Sequence, residues 1–261
     1  PEHVWTDLYR VDHELRARYL RAGRRMPGEV FSDSVVVHYD ARGELVGLKF
    51  RLPAGKRWAK PPKGGHADAK YVAAPGSQLA GVVFLADRVR DGTTLVVCAG
   101  EKDALVAASH LDPARWSPVS SCVGECADRL PTKWAAAIGA LARGRDVVIA
   151  YDGDGAGREG AWRLARHLNG VAAGVRALAL PAPDELTPPK GEDRWDVAAY
   201  VLERGGAALE QLLTAAAPVP ASWEPAPPPP GKAAAAAVQG APAATQAGPQ
   251  RNAEAGDGNG T

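Results

Sequence analysis

The chain has 261 residues, enough for one or two domains, and its 46% hydrophobic and 23% charged residues are ordinary for a globular protein. No stretch approaches 18 consecutive apolar residues and the first residues lack a secretion signal, so we expect no membrane association. Three cysteines are too few for a disulfide framework, which favours a reducing, cytoplasmic location.

Charge is distributed unevenly behind a net charge of +1. Residues 1–75 carry 14 Lys and Arg against 9 Asp and Glu, whereas residues 76–216 carry 15 against 18. The densest basic stretch, residues 49–70, holds seven basic side chains and one acid. This asymmetry suits a protein that binds a polyanion with its first part and a metal with its middle part, and a merely solvated surface is the alternative.

The first 80 residues predict a small α+β unit. Apolar residues recur with helical spacing between Asp7 and Gly23, which predicts a helix. Two β-rich runs, residues 34–39 and 45–50, flank a turn that contains glycine and therefore predict a hairpin. The Lys-, Gly- and Pro-rich segment 53–65 predicts a loop.

From residue 82 onward, short apolar runs alternate with helical segments. Apolar runs without alternation are typical of strands buried on both faces, so this order predicts a parallel sheet covered by helices. The predicted strands are residues 82–85, 94–98, 147–151 and 175–180, and the predicted helices are 102–110, 133–143, 157–168, 195–204 and 207–216. The Pro- and Ala-rich remainder, 217–261, predicts a disordered tail or linker.

Two acidic turns directly follow predicted buried strands. Glu101, Lys102 and Asp103 follow strand 94–98, and Asp152 and Asp154 follow strand 147–151. Ligands bind beyond the carboxyl ends of parallel strands, and close carboxylates repel each other unless a cation such as Mg²⁺ or Mn²⁺ lies between them. The sequence therefore predicts a metal site at Asp152 and Asp154, with Glu101 as a candidate third ligand and Asp103 assisting. Lys102 either contacts phosphate or is solvated.

A glycine pattern at residues 155–160 matches GxGxxG between a strand and a helix. A dinucleotide pyrophosphate there would meet the charges of Asp152 and Asp154, so a nucleotide cofactor is disfavoured. We expect Gly155 and Gly157 instead to let the turn enter its helix. The same segment begins like a calcium loop but carries Arg163 where calcium needs a bidentate Glu.

Other residues of metal-binding type are assigned structural roles. Cys122 and Cys126 are spaced CxxxC without a second ligand pair, which favours two small loop or core residues. His38 lies in a predicted strand, and His110 and His167 lie near predicted helix ends.

Six segments in a fixed order resemble a known family. They are VVVHYDARGELVGLKFRLP at 35–53, KYVAAPGS at 70–77, VFLADRV at 83–89, LVVCAGEKDALVAA at 95–108, VVIAYDGDGAG at 147–157 and WDVAAYVLERGG at 195–206. This order resembles the Toprim catalytic core of bacterial and phage DNA primases and primase-helicases. The resemblance implies an α/β fold with a basic primase-like subdomain at 1–80, a Toprim domain at 81–181 and a helical segment at 182–216, before the tail at 217–261.

The resemblance also implies an activity and partners. It implies Mg²⁺-dependent synthesis of RNA primers from nucleoside triphosphates on a single-stranded DNA template, with a replicative helicase on the same or another chain. The family builds its site from one Glu and a DxD motif, which is matched here by Asp152 and Asp154. Asp103 matches a further acidic residue of the family motif, and Arg51, Lys70 and Tyr71 match its basic template-guiding subdomain.

One departure from the family pattern affects the expected activity. Ala99 stands where the family has its Glu, and Glu101, two residues on, is the candidate substitute. Two other functions therefore stay open, a nucleic-acid-binding module with a weakened site and a Toprim nuclease of defence or repair. The Lys-Tyr segment and the hairpin before the acidic turn favour the primase.

Overall fold

The structure is a computed structural model. It describes residues 34–51, 71–74, 76–122, 129–178, 180 and 196–220. The chain divides into two units, Pro1–Pro225 and Ala226–Thr261, and every described residue belongs to the first. The predicted N-terminal helix, the 53–65 loop and Lys70 lie outside the described residues.

The first described element is a three-stranded antiparallel sheet, called here the N-terminal sheet. Its strands are β1 (Ser34–Tyr39), β2 (Leu45–Arg51) and β3 (Tyr71–Ala73), in that spatial order. The β1–β2 turn is closed by the Asp40 carboxylate, which accepts hydrogen bonds from the backbone N–H groups of Arg42 and Glu44. The predicted hairpin is confirmed.

A six-stranded sheet follows, with four central strands in parallel. Its order is β4 (Val83–Phe84), β6 (Trp116–Ser121), β5 (Thr94–Cys98), β7 (Asp146–Ala150), β8 (Gly174–Ala177) and β9 (Ala217–Pro218). The helices are α1 (Glu101–His110), α2 (Thr132–Ala142), α3 (Gly155–Leu168), α4 (Val197–Arg204) and α5 (Gly206–Ala215). None of these helices is long and apolar enough to cross a bilayer.

Helices cover both faces of this sheet because successive strand residues enter opposite cores. Val96 and Cys98 pack with α1, α4 and α5, and Leu95 and Val97 pack with α2 and α3. All four residues have no exposed surface. The predicted Toprim-like α/β fold, a mostly parallel sheet between helices, is confirmed.

Three strands were not predicted from the sequence: β3, β6 and β9. β6, WSPVSS, is buried along its whole length although serine and proline argue against a central strand. Ser117 Oγ has a partner in Thr93 Oγ at 2.6 Å, whereas Ser120 Oγ is buried without a hydrogen-bond partner among the described residues. β9 pairs with β8 at one edge of the sheet, so the first two residues of the predicted tail form a short strand.

Candidate active site

The two acidic turns meet at one edge of the sheet. β5 and β7 are adjacent parallel strands, and Cys98 lies opposite Ala150 in their register. Their carboxyl ends therefore lie side by side, and the chain continues from β5 into the first turn of α1 and from β7 into the turn before α3. This topology brings Asp103 and Asp152 to a common site at the switch between neighbouring strands.

Asp103 is a buried carboxylate with a strongly raised pKa. Burial and the negative charges of Asp196 and Asp152 raise the pKa of Asp103 to about 7, although the backbone N–H of Ala198 donates to its Oδ1 at 3.1 Å. Burial and the charges of Asp103 and Asp152 likewise raise the pKa of the Cys98 thiol. Close, buried carboxylates suit a divalent cation with oxygen ligands, so these residues fit Mg²⁺ or Mn²⁺.

Asp152 and Asp154 have different surroundings. Asp152 is buried, whereas Asp154 caps α3, its Oδ1 accepting a hydrogen bond from the N–H of Gly157 at 2.8 Å. A Cβ on Gly157 would lie 2.1 Å from the backbone oxygen of Asp152, so only glycine fits there. A Cβ on Gly155 would have no atom within 4 Å, so of the two glycines it is Gly157 that this turn requires for steric reasons.

Glu101 is engaged by the N-terminal sheet. His38 Nε2 donates to Glu101 Oε1 at 3.1 Å, and the ammonium of Lys49 donates to the same oxygen at 2.5 Å. Burial by itself raises the pKa of Glu101, but the hydrogen bonds and the charge of Lys49 outweigh it and lower that pKa to about 2. Both contacts use Oε1, so a metal that ligated this oxygen would compete with them.

Asp196 is an acidic residue near the site that the sequence analysis did not select. Its Oδ1 accepts from the N–H of Ala199 at 2.6 Å and so caps α4, and its Oδ2 accepts from Lys102 Nζ at 2.7 Å. Its charge also raises the pKa of Asp103. The signal available in the sequence was an Asp directly before an apolar helical run. Lys102 is therefore held in a partly exposed ion pair rather than fully solvated.

Ala99 follows β5 but belongs to the apolar core on the α2 and α3 side of the sheet. It is 6% exposed and shares that core with Tyr151, the residue that follows β7. The neighbouring Cys98 and Ala150 pack on the other face. A carboxylate at position 99 would therefore have to leave an apolar cluster before it could reach a metal.

Two of the residues predicted to bind nucleic acid, Arg51 and Tyr71, lie on adjacent strands of the N-terminal sheet. Arg51, the last residue of β2, is opposite Tyr71, the first residue of β3. Tyr71 is half-buried, and the ammonium of Lys49 lies 5.8 Å from its ring centroid. Tyr71 therefore packs against the protein and is only partly available to stack on a base.

Comparison with solved structures identifies similar folds, while no protein-family model and no curated protein matches the sequence. The zinc-binding and RNA polymerase domains of the Aquifex aeolicus primase match at TM-score 0.53 and 20% identity, over 79% of this chain and 47% of that one. The DnaG primase catalytic domain bound to single-stranded DNA matches at 0.52 and 21%, over 83% and 64%. A primase-domain complex of bacteriophage T7 matches at 0.52 and 19%, over 83% and 94%.

This chain thus spans about half of the Aquifex primase fragment and about two thirds of the DnaG domain. The bacteriophage T7 structure holds primase domains of two gp4 subunits with a lagging-strand DNA polymerase, an RNA/DNA hybrid and dTTP. At these identities the likeness establishes the fold, which is that of bacterial and phage primase catalytic cores.

Proposed function

We propose that this protein is a primase-type nucleotidyltransferase that synthesises RNA primers on single-stranded DNA. Its substrates would be nucleoside triphosphates, and a replicative helicase in the cytoplasm would be its partner. The observation that carries the proposal is the pairing of Asp103 and Asp152 at the neighbouring carboxyl ends of β5 and β7, in a fold shared with primase catalytic cores.

Three side chains would hold the cation in this proposal. Asp103 and Asp152 supply buried carboxylates, and Asp154 supplies a partly exposed one. Bound Mg²⁺ or Mn²⁺ would neutralise charge on the attacking and leaving oxygens of phosphoryl transfer. The cap of α3 fixes the turn that carries Asp154, and the hydrogen bond from Ala198 fixes Asp103, so both carboxylates are positioned before substrate arrives.

A priming assay tests the catalytic part of the proposal. The assay supplies single-stranded DNA, the four ribonucleoside triphosphates and Mg²⁺ or Mn²⁺, and it measures labelled RNA products. Asp152→Asn should lower the rate by about 10²–10³ because a buried anionic ligand is lost. Glu203→Gln, an exposed change on α4, is the matched control and should leave the rate unchanged. Equal rates for all three proteins would reject the role of Asp152.

Template binding is proposed for the basic part of the chain. Arg51, Lys70 and Tyr71 would contact single-stranded DNA, the two cations through phosphates and the ring through a base. Replacing Arg51 and Lys70 by Ala should weaken binding and flatten its dependence on salt, because fewer counterions are released. Tyr71→Ala should cost about 1–3 kcal/mol, whereas Tyr71→Phe should retain binding. Fluorescence anisotropy over a salt series measures both effects. Unchanged affinities would show that these residues do not contact DNA.

A second candidate function is binding of nucleic acid without catalysis. It is favoured by Ala99, which is buried in an apolar core where the primase pattern has Glu, and by the engagement of Glu101 with Lys49. On this alternative, DNA binds but no primer forms. Ala99→Glu then distinguishes a weakened enzyme, in which primer synthesis rises, from a binding module, in which it stays at background. The same variant should be less stable, because it places a carboxylate in an apolar cluster.

A further inference from the structure

Three side chains with metal-ligating atoms meet at the junction of the N-terminal sheet and the six-stranded sheet. A ring nitrogen of His38, a carboxylate oxygen of Glu101 and Sγ of Cys122 all lie within 4.8 Å of one another. All three residues are buried. They come from β1, from the first residue of α1 and from the residue after β6, so only the folded chain brings them together.

The donors of this cluster differ in kind from those of the candidate active site. Asp103 and Asp152 offer oxygen only, which suits Mg²⁺ or Mn²⁺. His38, Glu101 and Cys122 offer one nitrogen, one oxygen and one sulfur, a set that favours a borderline-soft ion such as Zn²⁺. Three protein ligands also leave a fourth tetrahedral position open, and ligand atoms within 4.8 Å need only small side-chain movements to surround one ion.

A cation already lies in this cluster. The ammonium of Lys49 donates to Glu101 Oε1 and to the backbone oxygen of Cys122, and so supplies the positive charge that a buried carboxylate needs. The Lys49 side chain is 13% exposed and has four flexible carbons, and the ring of Tyr71 lies 5.8 Å from its ammonium. Lys49 therefore has a route to the surface, along which its ammonium can stay near the aromatic face that it already approaches.

We propose that His38, Glu101 and Cys122 form a Zn²⁺-type site that exchanges with the ammonium of Lys49. In one state Lys49 neutralises Glu101 and Cys122 remains a thiol. In the other state the divalent ion binds Glu101, His38 and the Cys122 thiolate, the thiol proton passes to solvent, and Lys49 turns outward. The ligand sets of both states are electrically neutral, so the exchange leaves no uncompensated charge buried.

Occupation of this site would join three separated segments through one ion. β1 belongs to the N-terminal sheet, and Glu101 begins the helix whose first turn also carries Asp103. The bound ion would thus tie the proposed template-binding sheet to the helix that supplies an active-site carboxylate. The inference concerns metal binding alone and does not depend on primer synthesis.

Co²⁺ is the probe for the experiment, because thiolate ligation to Co²⁺ gives a charge-transfer absorption that oxygen ligands do not give. The full chain with Cys126→Ser is titrated under reducing conditions, so that Cys98 and Cys122 are the remaining thiols. The thiolate band should appear, disappear in Cys122→Ser and persist in Cys98→Ser, the matched control. His38→Ala should weaken Co²⁺ binding by at least about 10–100-fold.

Lys49→Met tests the exchange itself. Removing the competing ammonium should tighten Co²⁺ binding about tenfold or more, and Zn²⁺ should then raise the melting temperature of this variant more than that of the parent. Asp152→Asn should keep the band, because it changes only the oxygen site. Absence of the band in the parent protein, its persistence in Cys122→Ser, or weaker Co²⁺ binding by Lys49→Met would each overturn the proposal. Circular dichroism checks that the Cys122 and His38 variants are folded.

Discussion

Replacing Glu101 by Gln tests whether this residue stabilises the fold or ligates the active-site metal. The substitution keeps the size and shape of the side chain and removes its charge. It leaves the ammonium of Lys49 in a site where that side chain is only 13% exposed, with the Cys122 carbonyl and a neutral amide as acceptors. Breaking a buried ion pair by removing one partner costs about 3–5 kcal/mol, and we expect a loss of that size in metal-free protein.

The pKa of Glu101 gives a similar magnitude. It is lowered from an ordinary 4.5 to about 2, and at about 1.4 kcal/mol per pKa unit this difference corresponds to about 3 kcal/mol. Because the folded-state pKa is the lower one, this stabilisation is complete above about pH 4.5 and is lost as the pH falls through about 2. The stabilities of wild type and Glu101→Gln should therefore converge in acid.

Thermal unfolding in EDTA measures the effect. For a chain of this size, 1 kcal/mol shifts the melting temperature by about 2–4 °C, so Glu101→Gln should melt about 6–20 °C lower. Glu203→Gln is the exposed control and should change the free energy of unfolding by less than about 0.5 kcal/mol. The double variant Glu101→Gln with Lys49→Met should recover most of the loss, because no unpaired charge stays buried.

Two results would contradict a stabilising ion pair between Glu101 and Lys49. If Glu101→Gln unfolds at the wild-type temperature but abolishes primer synthesis, Glu101 acts as a relocated catalytic ligand and the ion pair with Lys49 contributes little. If Glu101→Gln is destabilised and Lys49→Met gives no recovery, the loss arises from the hydrogen bond with His38.

Three further outcomes follow from the site geometry. Mn²⁺ should raise the melting temperature of wild type, and Asp152→Asn should abolish that rise; an identical rise in both proteins would place the metal elsewhere. Gly157→Ala should lower the free energy of unfolding by about 1–3 kcal/mol or more because of the clash with the Asp152 backbone, whereas Gly155→Ala should not. Chemical denaturation measures both variants, and equal free energies of unfolding would contradict the predicted clash. Asp154→Ala should lower the free energy of unfolding by about 1 kcal/mol because the helix cap is lost, whereas Asp154→Asn should retain the cap. Equal stabilities of these two variants would show that the cap does not stabilise the protein.

The sequence by itself determined the order and type of most elements. The strand over residues 94–98 and the hairpin around Gly43 were predictable because apolar runs and turn residues act locally. The positions of the acidic turns at strand ends were predictable for the same reason. Because β5 and β7 are parallel, Asp103 and Asp152 were then expected at the same end of the sheet. Asp154 was recognised as part of the DxD pattern, although its capping of α3 was not.

The tertiary structure decided which polar groups are paired inside the protein. β6 was missed because serine and proline are unusual in a central strand, and the partner of Ser117, Thr93, lies 24 residues away along the chain. Glu101 was predicted as a ligand because it lies in an acidic turn two residues after Ala99, yet its contacts are with Lys49 and His38, which are 52 and 63 residues away. Periodicity and spacing report on neighbours along the chain, whereas the ionisation and availability of a buried carboxylate depend on charges that only the folded chain brings within a few ångströms.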